Sequence, residues 1–301
     1  MSDRIEIVEM APRDGLQNEA RQVPTTDKIA LVDALSLCGF RRIEATSFVS
    51  PKWVPQLADG AAVMRGIDRA RGVAYGALTP NMRGLEGAKA ARVDWVAVFA
   101  SASEGFSHAN LNCTIAESLD KFRPVVEAAT DAGIRVRGYV SAVVECPYDG
   151  ATEPGSVARV VQALLAMGCY EVSLGDTIGR GTPESIDRML DPVLDIAEPS
   201  QLAGHFHDTD SNAIANVARA AQRGIRVFDG SVGGLGGCPF APGAKGNVDT
   251  LAIDEWARSE GFDTGLDPNA LDRAAELAQR IVGRKRPRSW TPLRPHANRT
   301  R

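Results

Sequence analysis

The segment SVARVVQALLAMGCYEVSLGDT (156–177) contains the structural repeat from which the fold is predicted. Its first half places apolar residues at helical spacing and ends at Gly168, a residue type that commonly terminates helices. Its second half is a short run with β-branched and aromatic residues, which is typical of a buried strand. The segment therefore predicts a helix followed by a strand that ends at the polar pair Asp176 and Thr177.

The same alternation of helical and strand patterns continues through most of the chain. Strands are predicted over residues 5–11, 41–48, 72–78, 94–101, 135–144, 169–177, 202–209 and 226–237. A helical pattern follows each strand, with a longer loop predicted over 101–114. Such a run of strand–helix units predicts the α/β class and a (β/α)8 or TIM barrel. An open doubly wound sheet is disfavoured, because the first turn, APRDGLQ (11–17), lacks the glycines of a phosphate-binding loop.

Residues 1–283 are predicted to form one barrel domain with the catalytic site, and residues 284–301 a short, basic C-terminal extension. Two interpretations of the extension stay open: an arm that binds anions or a partner, or a solvated and flexible terminus, which we favour. Single domains of this size are usual for the (β/α)8 architecture.

Composition excludes several classes of function. The formal net charge of the 301 residues is −4, so no general attraction to nucleic acid is expected. No apolar run reaches the roughly 18 residues that a membrane helix needs. The five cysteines lack paired spacing, which indicates free thiols in a reducing compartment. No apolar leader precedes the first strand, and we therefore predict a cytoplasmic protein.

Two histidines in LAGHFHDTD (202–210) are the strongest indication of chemistry. His205 and His207 occupy alternate positions of a predicted strand, so their imidazoles face the same side. Asp14 in APRDGLQNE (11–19) could add a carboxylate, and Asn247 an amide oxygen. Such a nitrogen and oxygen set suits Mg²⁺, Mn²⁺ or Zn²⁺. The alternative is that the two histidines only form hydrogen bonds within the sheet.

Catalytic groups of a (β/α)8 barrel lie at the C-terminal ends of its strands. The candidate functional residues of this chain are predicted to lie at or just after these strand ends. They are Arg13, Asp14 and Gln17 after strand one, Glu44 and Ser47 on strand two, Asp176 and Thr177 on strand six, the two histidines on strand seven, and Cys238 and Asn247 after strand eight.

Three of these residues have an individual interpretation. Arg13 could stabilise an enolate or bind a carboxylate, since its guanidinium is always charged. Glu44 has apolar neighbours in sequence and needs a partner, for which Arg13 is the natural candidate. Cys238 lies in a glycine-rich loop (230–247) and could transfer a proton or act as a nucleophile, or it could simply fit a tight turn.

Six stretches of the chain together resemble the hydroxymethylglutaryl-CoA lyase family of metal-dependent TIM barrels. They are APRDGLQNE (11–19), IEATSFVSPKWVPQLAD (43–59), SASEGFSHANLNCTIAES (101–118), SLGDTIGRGTP (173–183), HFHDT (205–209) and GLGGCPFAPGAKGN (234–247). Related synthases typically carry glutamate after the Arg-Asp pair, whereas this chain has Gly15, as the lyases do.

The resemblance implies a lyase that cleaves 3-hydroxy-3-methylglutaryl-CoA to acetyl-CoA and acetoacetate, in leucine degradation and ketone-body formation. It implies Mg²⁺ or Mn²⁺ as the cofactor, an acyl-CoA thioester as the substrate and a homodimer. The implied metal ligands are Asp14, His205, His207 and Asn247. The implied catalytic residues are Arg13, Asp14, Glu44, Asp176, His205 and Cys238, and those expected to bind substrate are Arg13, Gln17, Ser47 and Thr177.

One departure from the family pattern keeps a second function open. Asp210, Ser211 and Asn212 stand where many members have Tyr-Gly-Gln, beside the predicted metal ligands. A lyase or condensing enzyme for a related 3-hydroxy acyl-CoA or a 2-oxo acid is therefore the alternative. A non-catalytic barrel is disfavoured, because the full set of candidate catalytic residues is present.

Overall fold

Eight parallel strands close into a barrel in the computed structural model of this chain, which describes residues 3–237 and 246–284. In chain order, β1 to β8 are Glu6–Glu9, Arg42–Ser47, Ala74–Leu78, Trp95–Ser101, Arg135–Ser141, Glu171–Asp176, Leu202–Phe206 and Val227–Gly230. Each strand pairs with its neighbour in sequence, and β1 pairs with both β2 and β8 to close the barrel. The predicted (β/α)8 barrel is confirmed.

Helices surround the barrel in the order expected. Helices α1 to α10 are Thr25–Ser36, Gly60–Gly66, Met82–Ala90, Glu104–Leu111, Ile115–Asp131, Pro154–Met167, Pro183–Leu194, Ala213–Gln222, Thr250–Ser259 and Pro268–Ile281. The large apolar core lies between this ring of helices and the outer face of the strands. No helix in the described ranges is long and apolar enough to cross a membrane.

The segment 101–114 is not the uninterrupted loop that the sequence predicts, since it contains α4. Ser103 caps this helix by accepting a hydrogen bond from the backbone N–H of Phe106, and Asn112 ends it in the left-handed conformation at φ 51°. Several strands are also shorter than predicted. The fifth ends at Ser141, and the residues after it include a two-stranded hairpin formed by Glu145–Cys146 and Gly150–Ala151.

One part of the barrel interior is apolar and closely packed. Its buried cluster includes Val8, Met10, Leu78 and Trp95. The indole of Trp95 lies so close to Gly76 that a Cβ atom there would be 2.0 Å from the ring. Only glycine fits at this position, because the space that a side chain would need is occupied by the tryptophan.

The rest of the interior contains buried charges instead of a second apolar layer. They are Arg42, Glu44, Arg137, Glu171 and Asp229. Because charges inside a protein cost free energy to desolvate, they need partners, and both Arg42 and Arg137 lie against buried carboxylates.

Two sequence predictions lie partly outside the described residues. The domain boundary at residue 283 stays a prediction, because residues 285–301 are not described. Cys238 is also outside the described ranges, whereas Cys38, Cys113, Cys146 and Cys169 are buried free thiols. Burial raises the pKa of Cys38 and of Cys169 to about 12, so these two thiols stay protonated and unreactive at neutral pH.

Candidate metal centre and active site

Three side chains converge at the C-terminal end of the barrel. His205 lies in β7 and His207 directly follows it, and their Nε2 atoms are 3.3 Å apart. The Oδ2 atom of Asp14 is 4.0 Å from each of these nitrogens. Ligand atoms of Asp14, His205 and His207 all lie within 4.8 Å of one another, so one ion between them could bind all three.

Asp229 of β8 fixes the orientation of the His205 ring through a contact with its Nδ1 atom. Oδ2 of Asp229 lies 3.1 Å from Nδ1 of His205 and also accepts a hydrogen bond of 2.8 Å from the Ser173 hydroxyl. Burial acts to raise the pKa of Asp229, but Arg137 and His205 outweigh it and hold the pKa below its usual value. An ionised Asp229 stabilises the tautomer with a proton on Nδ1, which leaves the Nε2 lone pair directed at the centre.

Burial and neighbouring charges determine the ionisation states of the other two members of the centre, His207 and Asp14. Burial favours the neutral form of His207 and lowers its pKa to about 4. Burial alone would raise the pKa of Asp14, but Arg13 and the two imidazoles lower it to about 2. The Nε2 atoms of both imidazoles and an ionised carboxylate therefore converge on one point, an arrangement that a divalent cation satisfies when each ring carries its proton on Nδ1.

A short π-helical turn, Ala11–Gly15, places Arg13 and Asp14 at the centre. The strand before it ends at Glu9 and not at residue 11 as predicted. Oε1 of this buried carboxyl accepts hydrogen bonds from the backbone N–H groups of Ala11 and Val232, at 2.9 and 3.0 Å. Glu9 thus ties the turn after β1 to the segment after β8.

Arg13 is held between two carboxylates and an aromatic ring. Its Nε donates to Oε2 of Glu44 at 2.7 Å, and its Nη1 donates to Oδ1 of Asp14 at 2.6 Å. The guanidinium carbon lies 5.7 Å from the centre of the Tyr139 ring. The partnership of Arg13 with Glu44, expected from the sequence, is present. Burial acts to lower the pKa of Arg13, but the carboxylates of Glu44 and Asp14 outweigh it and raise the pKa above its usual value. The guanidinium is therefore always charged.

Asn247 lies at the edge of the centre, bound to Asp14. Its Nδ2 donates to Oδ2 of Asp14 at 2.7 Å and to the backbone oxygen of Leu235 at 3.2 Å. The amide nitrogen, not the oxygen, therefore faces the centre, and coordination of a metal by Asn247 requires the amide to turn over.

A cavity of about 1140 Å³ opens directly above the centre. Arg13, Asp14, His205 and His207 form its floor. Gln17 and Thr177, both predicted to bind substrate, also line it. The Oε1 atom of Gln17 is buried without a hydrogen bond from any described residue, so it offers a free acceptor to a bound molecule.

Two other predicted site residues are close to the cavity but do not line it. The hydroxyl of Ser47 accepts from the backbone N–H of Val49, which does line the cavity. The buried carboxyl of Asp176 accepts from the N–H of Gly181 at 2.7 Å, and burial raises its pKa to about 6. Both side chains support loops around the site. Gly237, the residue before the undescribed Cys238, lines the cavity.

Sequence reasoning missed three residues that support the centre: Arg137, Tyr139 and Asp229. All three are buried and lie on strands, at positions that face the barrel interior. Their signal in the sequence is the same as that of Glu44, a charged or polar group within an apolar strand that must find a buried partner.

The barrel and this centre define the class of the protein: a (β/α)8-barrel enzyme with a candidate divalent-metal site at the C-terminal ends of its strands. Comparisons with known proteins narrow the class. The sequence profile of the HMGL-like family matches residues 4–278. A 3-hydroxy-3-isohexenylglutaryl-CoA/hydroxy-methylglutaryl-CoA lyase from Pseudomonas aeruginosa is 50% identical over 281 residues, which cover 93% of this chain and 94% of that protein.

Solved structures agree with the sequence comparison. The HMG-CoA lyase from Brucella melitensis has a TM-score of 0.92 and 61% identity, covering 93% of this chain and 99% of that one. An HMG-CoA lyase from Acinetobacter baumannii, solved with coenzyme A and 3-methylmalate, has a TM-score of 0.90 and 38% identity, covering 96% and 94%. The chain belongs to the HMGL-like family, and these relatives are hydroxymethylglutaryl-CoA lyases.

Proposed function

We propose that this protein cleaves 3-hydroxy-3-methylglutaryl-CoA to acetyl-CoA and acetoacetate. One observation carries the proposal: the Nε2 atoms of His205 and His207 and Oδ2 of Asp14 converge at the floor of a large cavity, beside the buried guanidinium of Arg13. A metal ion bound by these three side chains would lie beside the fixed charge of Arg13. Two positive charges side by side suit a reaction in which two oxygen atoms of the substrate become negatively charged. The relatives support the substrate, and leucine degradation and ketone-body formation are its metabolic setting.

The proposed cofactor is Mg²⁺ or Mn²⁺, held by Asp14, His205 and His207, with Asn247 as a fourth ligand after its amide turns over. The donor set has no thiolate among the described residues, which favours these ions over Zn²⁺. When bound, the ion would acidify the tertiary hydroxyl of the substrate and hold it beside the substrate carboxylate.

The protein's own groups would then move a proton and stabilise charge. The hydroxyl proton passes to the carboxylate of Asp14 at the floor of the cavity, because Nδ1 of His205 keeps its proton against Asp229 and its Nε2 is a proposed metal ligand. The electron pair of the O–H bond forms the ketone of acetoacetate, and the bond between C2 and C3 breaks. Its electrons move to the thioester, which becomes the enolate of acetyl-CoA, and C2 finally receives a proton.

Arg13 is the proposed partner of that enolate. Nε and Nη1 are engaged by Glu44 and Asp14, so Nη2 is the donor available to the thioester oxygen. Because Glu44 holds the guanidinium in place before substrate arrives, little reorganisation is needed when the charge develops. Cys238 is proposed to supply the proton to C2 from its glycine-rich loop.

The outer part of the cavity is proposed to hold the coenzyme A portion of the substrate. Arg83 and Lys121 line it there and are both exposed, so they can approach phosphates. Gln17 and Thr177 also line the cavity and are half-buried, and they are proposed to contact the acyl group. A cavity of about 1140 Å³ exceeds the usual range for small-molecule sites, as a long thioester requires.

The test is an assay of both products with purified protein, Mn²⁺ and 3-hydroxy-3-methylglutaryl-CoA. The proposal predicts acetyl-CoA and acetoacetate in equal amounts. Folded, metal-loaded protein that forms neither product would contradict it.

A second candidate is cleavage of a related 3-hydroxy acyl-CoA with a longer branch at C3. The name of the Pseudomonas relative, which includes an isohexenylglutaryl thioester, favours this reading. Assaying both thioesters side by side separates the two, because the better substrate will have the higher kcat/KM.

A homodimer and a cytoplasmic location complete the proposal. The four described cysteines are free, which suits a reducing compartment. Light scattering of the purified protein tests the dimer, and fractionation of cells that produce the protein tests the location.

A further inference from the structure

Arg137 is a fully buried cation in the middle of β5, and every polar group of its side chain contacts another buried polar group. Its side chain is the largest among the described residues that is shielded from solvent, with 0% exposure. Nε donates to Oε1 of Glu171 at 2.7 Å, Nη1 donates to the Tyr139 hydroxyl at 2.9 Å, and Nη2 is 2.8 Å from Oδ1 of Asp229. Three different strands are therefore joined through one planar group.

One branch of contacts leads from Arg137 to the candidate metal centre. Asp229 binds Arg137 through Oδ1 and contacts Nδ1 of His205 through Oδ2, at 3.1 Å. The carboxylate has little freedom to rotate, because the ion pair with Arg137 holds Oδ1 while His205 and the Ser173 hydroxyl hold Oδ2. The rotation of Asp229 in turn fixes the plane of the His205 ring and the direction of its Nε2 lone pair.

A second branch leads from Arg137 to Arg13. The Tyr139 hydroxyl accepts from Arg137 and donates to Oε2 of Glu44 at 3.3 Å. That same oxygen accepts from Nε of Arg13 at 2.7 Å. The ring of Tyr139 also lies beneath both guanidinium groups, 5.1 Å from that of Arg137 and 5.7 Å from that of Arg13.

A buried network of this kind is a poor way to gain stability, since well-packed apolar residues often replace such ion pairs without loss. Its geometry suits a different purpose, because it ends at two groups that must lie at fixed positions. We propose that Arg137 is a positioning residue that holds His205 and Arg13 in register through Asp229 and Tyr139. The inference rests on the proposed function, which gives His205 and Arg13 their roles.

The direct test is Arg137→Lys, which keeps the charge but cannot span all three partners. Binding of Mn²⁺ alone to the metal-stripped variant, followed by electron paramagnetic resonance, is expected to weaken by about tenfold or more. The kcat for cleavage is expected to fall as well, with KM little changed, because Arg13 acts on charge that develops in the transition state.

Two further variants separate the branches and keep the test decisive if Arg137→Lys does not fold. Asp229→Asn is expected to weaken Mn²⁺ binding by about 10- to 100-fold. Tyr139→Phe is expected to leave Mn²⁺ binding unchanged and to lower kcat, since it interrupts only the branch to Glu44 and Arg13. The inference would be overturned if Tyr139→Phe kept the kcat of the wild type. It would also be overturned if Asp229→Asn kept the Mn²⁺ affinity of the wild type.

Arg42→Lys is the matched control. Arg42 is also a buried arginine, and it binds the same Glu171 at 2.8 Å, but it contacts neither Asp229 nor Tyr139. We expect this variant to lose stability while its Mn²⁺ affinity and kcat stay at the wild-type values. Equal losses in the Arg42 and Arg137 variants would mean that the network only stabilises the barrel, which contradicts positioning. Absence of Mn²⁺ binding by the folded wild-type protein would instead contradict the proposed function itself, so the two failures are distinguishable.

Discussion

The side-chain amide of Asn247 donates a hydrogen bond of 2.7 Å to Oδ2 of Asp14, and so joins the segment after β8 to the turn after β1. The two residues are far apart in sequence and meet only because the barrel closes between its first and last strands. The same Oδ2 atom is the one that faces both imidazoles.

This contact predicts the effect of Asn247→Ala. The variant loses a donor to a charged oxygen and a candidate metal ligand, so the dissociation constant for Mn²⁺ is expected to rise about tenfold or more. Titration of metal-stripped protein measures it. Asn18→Ala is the matched control, because Asn18 binds the backbone of Gly237 at the same edge of the cavity and does not contact Asp14. Equal affinity in the Asn247 variant and the control would contradict the role of Asn247.

Arg13→Met tests whether Arg13 stabilises the enolate without contributing to metal binding. Removing a donor that meets a developing oxyanion is expected to lower kcat by about 10²- to 10³-fold. Mn²⁺ affinity is expected to stay the same or to increase, because the variant removes a cation that binds Asp14 at 2.6 Å. Arg65→Met, an exposed change on α2, is the control for the loss of an arginine. A weaker Mn²⁺ affinity in Arg13→Met would show that Arg13 supports the metal site instead.

Glu9 predicts a pH dependence of stability. Burial raises its pKa from 4.5 to about 7 in the folded protein. Between these values the unfolded chain is ionised at Glu9 while the folded protein keeps the proton, so the free energy of unfolding falls as pH rises through this range and levels off above it. Above pH 7 the ionisation of Glu9 lowers the free energy of unfolding by roughly 3 kcal/mol relative to its value at low pH.

Glu9→Gln should remove this part of the pH dependence. The neutral amide can still accept from the N–H groups of Ala11 and Val232, and its own NH₂ can donate to Thr250, whose hydroxyl now donates to Glu9 at 2.7 Å. Urea unfolding at pH 5 and pH 8 measures the difference. If wild type and variant lose equal stability between the two values, Glu9 is not the group responsible.

The segment 210–212 is expected to have little influence on substrate choice, despite its departure from the family pattern. Asp210, Ser211 and Asn212 follow the candidate ligands in sequence but do not line the cavity. The triple change Asp210→Tyr, Ser211→Gly and Asn212→Gln should therefore alter kcat/KM by less than about threefold for either thioester. A reversal of the preference between the thioesters would show that these residues reach the acyl group.

The sequence predicts the barrel, and it singles out Asp14, His205 and His207, which the fold brings together, for identifiable reasons. Each strand–helix unit has its own apolar pattern, and the alternation of His205 and His207 survives folding because strand geometry fixes it. Arg13 and Glu44 could be paired in advance, because a buried acid needs a partner.

Other features depend on contacts that no single segment contains. Asp229 was missed because its partners, Arg137 and His205, lie on other strands. Asp176 was expected at the cavity, yet its neighbours Gly175 and Thr177 line it instead, since side chains alternate along a strand. Helix α4 was missed because its caps, Ser103 and Asn112, are residue types that also favour loops.

The most direct test of metal-dependent cleavage is acetoacetate formation from 3-hydroxy-3-methylglutaryl-CoA by chelator-stripped protein as Mn²⁺ is added back. A lyase that depends on this metal centre should show no cleavage without metal, full recovery at one ion per chain, and no recovery in His205→Ala at the same Mn²⁺ concentration. Wild-type turnover that persists in excess chelator would contradict the metal centre formed by Asp14, His205 and His207.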